Sequence, residues 1–165
     1  MPQICLILQR KKNISMINTF HDFSASDKAL LQDAPLWVAI WVGIADNHYD
    51  QEEQIKTLRT LAVKTFSETP DIAEIYQSIE NPDSRLMALL NALPQDMDQK
   101  RTMIQKHLED VKKVFDKCEP VFAQLLFKSF RSVGVHVANA SGGMLGMGAV
   151  DKEEKAALEL SFMKP

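Results

Sequence analysis

Ten consecutive apolar residues, Leu36–Ala45 ("LWVAIWVGIA"), form the longest apolar run in the chain. A membrane-spanning helix needs ~18 or more such residues. A run this short, with Trp37 and Trp41 four apart, predicts a helix that is apolar all round and stands at the centre of a fold. Such a helix has to be covered on every side. The rest of the sequence supplies helices to do it.

"SASDKALLQDA" predicts a short helix capped by Ser24 or Ser26. Pro35 then fits the first turn of the central helix, where its missing N–H costs nothing. Asp50 is the next cap, and Ile55, Leu58, Ala62 and Phe66 follow at helical spacing until Pro70. "DIAEIYQSI" puts Ile72, Ile75, Tyr76 and Ile79 on one face. Asn81-Pro82 breaks the chain, "DSRLMALLNAL" is helical, and Pro94 breaks it again. Ile104, Leu108, Val111, Phe115 and Cys118 then step four, three, four, three, the stripe of a long amphipathic helix. Pro120 opens another, with Phe122, Leu126, Phe130, Val133 and Val137 in line. "DKEEKAALELSFM" predicts the last. No stretch alternates with period two, so the expectation is all-α: a single compact bundle of seven to eight helices and no sheet.

The 165 residues are a prior for one domain. A domain of this size buries roughly 70% of its unfolded surface, so neither a metal nor a disulfide is required to hold it. The net charge of −3 argues against a nucleic-acid binder, which carries a basic stripe. Cys5 and Cys118 form no CxxC, which points to reduced thiols and a cytoplasmic location. Residues 1–15 ("MPQICLILQRKKNIS") place an apolar patch before three basic residues, the reverse of a signal peptide. They are expected to be a tail or a misassigned start, with the folded body, residues 16–165, beginning at Met16.

"IADNHYDQEEQI" (residues 44–55) gathers Asp46, Asp50, Glu52, Glu53 and His48 without a lysine or arginine. An EF-hand loop counted from Asp46 would need glycine sixth and glutamate twelfth, where Gln51 and Thr57 stand. Two readings remain. In one, Asp50 and Glu53 form a capping box, with Glu52 favoured by the helix dipole. In the other, Asp46, Asp50 and Glu53 supply oxygen ligands to a hard divalent cation, calcium or magnesium. Capping of the following helix leaves Asp46 unexplained. "YDQEE" and "VDKEE", at 49–53 and 150–154, share one pattern and suggest an internal pseudo-repeat.

"ADNHYDQEE" resembles the TerB (tellurite-resistance) motif Ala-Asp-Gly-x-Ile-Ser/Asp-x-x-Glu. Ala45, Asp46, Asp50 and Glu53 match it, Tyr49 takes the apolar place, and Asn47 replaces glycine. Asn tolerates the left-handed conformation that such a position needs. "ANASGGMLGMGAVDKEEKAALEL" is similar to the second half of that domain, although Met147 stands where its first aspartate would be. The helix order agrees over residues 24–160. The resemblance implies an all-helical module with a metal-chelating acidic motif, associated with tellurite and chemical stress and often part of larger assemblies.

Other chemistry is thin. His21, His48, His107 and His136 are isolated, with no zinc spacing. His136 is expected to bond a carbonyl at the edge of the core. "GGMLGMG" lacks the GK[ST] of a phosphate loop. No nucleophile motif accompanies the acids, so a small metal-dependent hydrolase is the alternative to a non-enzymatic module. In the loop at 141–150, Met144, Leu145 and Met147 either tuck into the core or offer an adaptable surface to a protein partner.

Overall fold

The computed structural model describes residues 16–141 and 152–165. Among them are seven α-helices and no strand: α1 (Ala25–Gly43), α2 (Gln51–Ser67), α3 (Pro70–Gln77), α4 (Pro82–Ala92), α5 (Met97–Phe115), α6 (Pro120–Ser141) and α7 (Lys152–Ala157). The all-α expectation holds. The tail at 1–15, the loop with Met144, Leu145 and Met147, and Asp151 lie outside the described residues.

α1 is the central helix. Leu36, Val38, Ala39, Ile40 and Val42 have no exposed surface. α5 and α6 cover it, and α2 packs on α6 and α3. The stripes predicted on α3, α5 and α6 are all buried. Ser24 is the N-cap of α1, its hydroxyl accepting the Asp27 N–H at 3.1 Å.

Three expectations need correcting. Pro35 does not start a helix, because α1 runs through it. A proline inside a helix forfeits one hydrogen bond and costs ~3 kcal/mol in an ordinary setting. Here Leu31 and Ala34 before it, and Leu36 after it, are all fully buried. One continuous helix keeps both halves in the same core and offsets that cost.

The last helix is only six residues long. Looser turns follow it, with Glu159 N–H on Ala156 O and Leu160 N–H on Ala157 O, and side chains join them: Trp41 Nε1 donates to Ala157 O at 3.2 Å, and Arg131 Nε to Leu158 O at 2.8 Å. Leu160 then adopts a left-handed φ of 44°. The chain doubles back, burying Met163 and setting Phe162 edge-on to Trp41 at 5.0 Å.

The third correction concerns α2. Of the stripe Ile55, Leu58, Ala62 and Phe66, Leu58 packs against the core, while Ile55, Ala62 and Phe66 face outward, with Phe66 89% and Ile55 41% exposed. The buried side of α2 is instead largely polar: Glu53, Thr57, Thr60 and Lys64, with Leu61. Thr57 satisfies its hydroxyl on Glu53 O at 2.8 Å. Lys64 is paired with Glu68 and lies over the Tyr76 ring. Buried polar groups are affordable when bonded in this way. Periodicity identified α2 as amphipathic but could not assign its two faces.

Candidate functional site

The elbow between α1 and α2 carries the acidic cluster. Gly43 ends α1. Asn47 takes φ 70°, the left-handed conformation expected of it, and turns the chain toward α2. Its Oδ1 accepts from Arg101 Nη2 at 2.9 Å, tying the turn to α5. Asp46 closes the turn from within: Oδ1 accepts the His48 N–H at 2.9 Å. That local Asx turn accounts for Asp46, the acid left unexplained by capping of α2.

Asp50 is the N-cap of α2. Its Oδ1 accepts the Glu53 N–H at 2.9 Å, and Glu53 Oε2 accepts the Asp50 N–H at 2.8 Å. The capping box is therefore complete. Tyr49 fills the inside of the elbow. Thr57 spends its proton on Glu53 O, so Tyr49 OH is the donor in the 2.8 Å bond to Thr57 Oγ1.

Glu53 is only 2% exposed. Burial pushes its carboxyl up to about 7, opposed by the Asp50 N–H and reinforced by the nearby charges of Asp50, Asp46 and Glu154. Glu154, itself 4% exposed, comes from α7. The second glutamates of "YDQEE" and "VDKEE" thus bear on one another across the elbow.

The structure brings Asp50 and Glu53 together and places Asp46 within electrostatic reach. Among the described residues no group of three His, Cys, Asp or Glu side chains is arranged to hold a metal ion. As the cap predicts, Asp50→Ala should lower stability by ~0.5–2 kcal/mol. Asp46→Ala, losing one exposed turn bond, should cost under about 1 kcal/mol. Urea unfolding of the two variants in chelator measures both.

A second polar set escaped sequence reasoning, because its members lie on three helices. Ser129 Oγ, buried on α6, donates to Glu68 Oε1 at 2.8 Å and accepts from Tyr76 OH at 2.7 Å. Lys64 Nζ is 3.4 Å away. A serine beside a lysine invites comparison with a nucleophile and its base. Here the ammonium is paired with Glu68 and the hydroxyl proton points at the same carboxylate, so the set staples α2, α3 and α6. Burial raises the Tyr76 phenol far above its ordinary range, which keeps it a neutral donor. Cys118 is equally quiet: burial pushes its thiol up to about 12, and Sγ bonds Val114 O. His136 Nδ1 lies 2.6 Å from Ser132 O, the carbonyl bond expected of it.

No family model matches the chain, and no solved structure matches it. It is 27% identical over 143 residues to "Uncharacterized protein ORF11'" of Methanothermobacter thermautotrophicus, covering 84% of this chain and 86% of that one. No described helix is long and apolar enough to cross a membrane.

Proposed function

We propose that the chain is a non-enzymatic accessory or interaction module of TerB-like type, working in the cytoplasm and linked to tellurite or chemical stress. The observation that most supports this reading is the outward face of α2. Phe66 is 89% and Val63 62% exposed, while the same helix buries Glu53, Thr57, Thr60 and Lys64. Scattered exposed apolar residues need no explanation. An apolar stripe left outside while polar groups are satisfied inside is different. Beside it runs a groove of about 250 Å³ lined by Leu58, Leu61, Ala62 and Tyr76, ready for an apolar side chain of a protein partner. Met144, Leu145 and Met147 are a second candidate surface on their chemistry alone.

The double variant Phe66→Ser, Val63→Ser tests the reading. Both side chains face water, so stability should change by less than about 0.5 kcal/mol. Tellurite tolerance and co-purification with a specific partner should nonetheless fall together. Normal tolerance and partner recovery in a folded double variant would count against the α2 face.

A second reading adds a divalent cation, calcium or magnesium, at Asp46, Asp50 and Glu53. It draws on the raised Glu53 carboxyl, whose charge a cation would stabilise. Thermal unfolding in chelator, then in each cation, is the test. The hydrolase alternative draws on the same carboxyl, since a group poised near neutrality suits general acid–base work. It requires chelator-sensitive hydrolysis that Glu53→Gln abolishes.

A further inference from the structure

The α2–α6 interface opens on another side into a groove of about 350 Å³. We propose that this groove binds a small phosphorylated molecule. Lys56, Arg59, Thr60, Lys64 and Ser67 line it from α2 and His136 from α6, with Val63 as the apolar member. Among the described residues no carboxylate lines it, in a chain whose net charge is −3.

The cations differ in what they are free to do. Lys64 forms the floor and is committed to Glu68. Arg59 is uncommitted. Of the four described arginines, Arg85 holds Asp33, Arg101 holds Asn47 and Arg131 holds Leu158 O, whereas Arg59 has no hydrogen bond or ion pair among the described residues. Lys56 likewise has no carboxylate partner within salt-bridge distance among the described residues, and it stands one turn before Arg59. A guanidinium presents a planar fork that matches two phosphate oxygens.

His136 faces them across the groove. Its Nδ1–H donates to Ser132 O, so Nε2 presents a lone pair in the neutral ring and donates to a phosphate oxygen in the imidazolium form. The hydroxyls of Thr60 and Ser67 add neutral donors. Glu68 is held by Lys64 and Ser129, and Glu53 by the Asp50 N–H. The volume lies at the lower end of small-molecule sites. It suits a phosphate with a modest organic part resting on Val63, and it is a concavity, unlike the extended stripe that tracks a nucleic-acid backbone.

Amide chemical shifts of the full chain, titrated at low salt with phenyl phosphate and with inorganic pyrophosphate, test the proposal. Saturable shifts confined to residues 56–67 and 132–138 are expected, with phenyl phosphate the tighter of the two. Arg59→Gln should weaken binding about tenfold or more, Arg59→Lys less, and His136→Gln measurably. Lys113→Gln, remote from the groove, should change nothing. A parallel arm with phosphatidylinositol-phosphate vesicles separates a lipid headgroup from a free phosphate. Vesicle binding that Arg59→Gln weakens, accompanied by the same groove shifts, would identify the headgroup as the source. Shifts that never saturate, that spread over the α5 lysines, or that persist unchanged in Arg59→Gln would overturn the site.

Discussion

Gly43→Ala should destabilise the protein by about 2–4 kcal/mol, although glycine-to-alanine in a helix ordinarily stabilises it by ~0.5–1 kcal/mol. The reversal of sign comes from Tyr49. A Cβ on Gly43 would stand 2.1 Å from Tyr49 Cδ2 and 3.0 Å from its Cγ. The clash is with the root of the ring, which cannot swing aside cheaply. Its far end is held by Thr57, and the Tyr49 carbonyl by Gln54 at 3.2 Å. Either the ring leaves and strands its buried hydroxyl bond, or the elbow opens. A double-mutant cycle separates steric conflict from lost helix geometry. Gly43→Ala combined with Tyr49→Ala should cost clearly less than the sum of the single variants. Additive costs would mean the two residues do not meet as described.

The second large effect belongs to Glu53. Its carboxyl is raised from 4.5 in a free side chain to about 7 in the fold. Between those values the folded protein binds the proton more tightly than the unfolded chain. The contribution of this group to stability is therefore full below about 4.5, falls as pH rises to about 7, and is flat above that. The whole loss is at most ~3 kcal/mol, and partial access of water to the carboxyl reduces it. Glu53→Gln keeps an oxygen for the Asp50 N–H and removes the charge. It should be more stable than wild type above neutrality by about 1–3 kcal/mol and should lose this part of the pH slope. Urea midpoints of the two proteins on either side of the window isolate the difference, because the other carboxylates cancel. A cation at Asp46, Asp50 and Glu53 would raise the wild-type curve above neutrality and leave Glu53→Gln unmoved.

The elbow shows how far sequence can carry such an account. Asp50 and Glu53 three apart before an apolar run specify a capping box by local chemistry alone, and Asn47 in a glycine place specifies a left-handed turn. Both depend only on neighbours in sequence. The central helix and the stripes of α3, α5 and α6 were equally legible, because a buried stripe must repeat every three or four residues. What failed depended on partners far along the chain. Pro35 could continue α1 because residues on both sides of it find the same core. α7 gives way to turns after Ala157, where Trp41 bonds Ala157 O and Arg131 bonds Leu158 O from distant helices. The inner face of α2 can hold Lys64 beside its neighbour Glu68 because Ser129 from α6 and Tyr76 from α3 meet the pair there. The free guanidinium of Arg59 and the staple around Ser129 are properties of packing, and no spacing rule announces them.

The outward face of α2 carries the functional reading, and a photo-crosslinking residue in place of Phe66, expressed in the organism's own cells, tests it most directly. Phe66 is the most exposed large apolar side chain described, so the replacement leaves the fold intact. The account predicts one discrete adduct with another protein. The adduct should weaken when Val63 is changed to serine and be absent when the probe is moved to Glu109 on α5. No adduct at 66, or only an adduct with a second copy of the same chain, would contradict it.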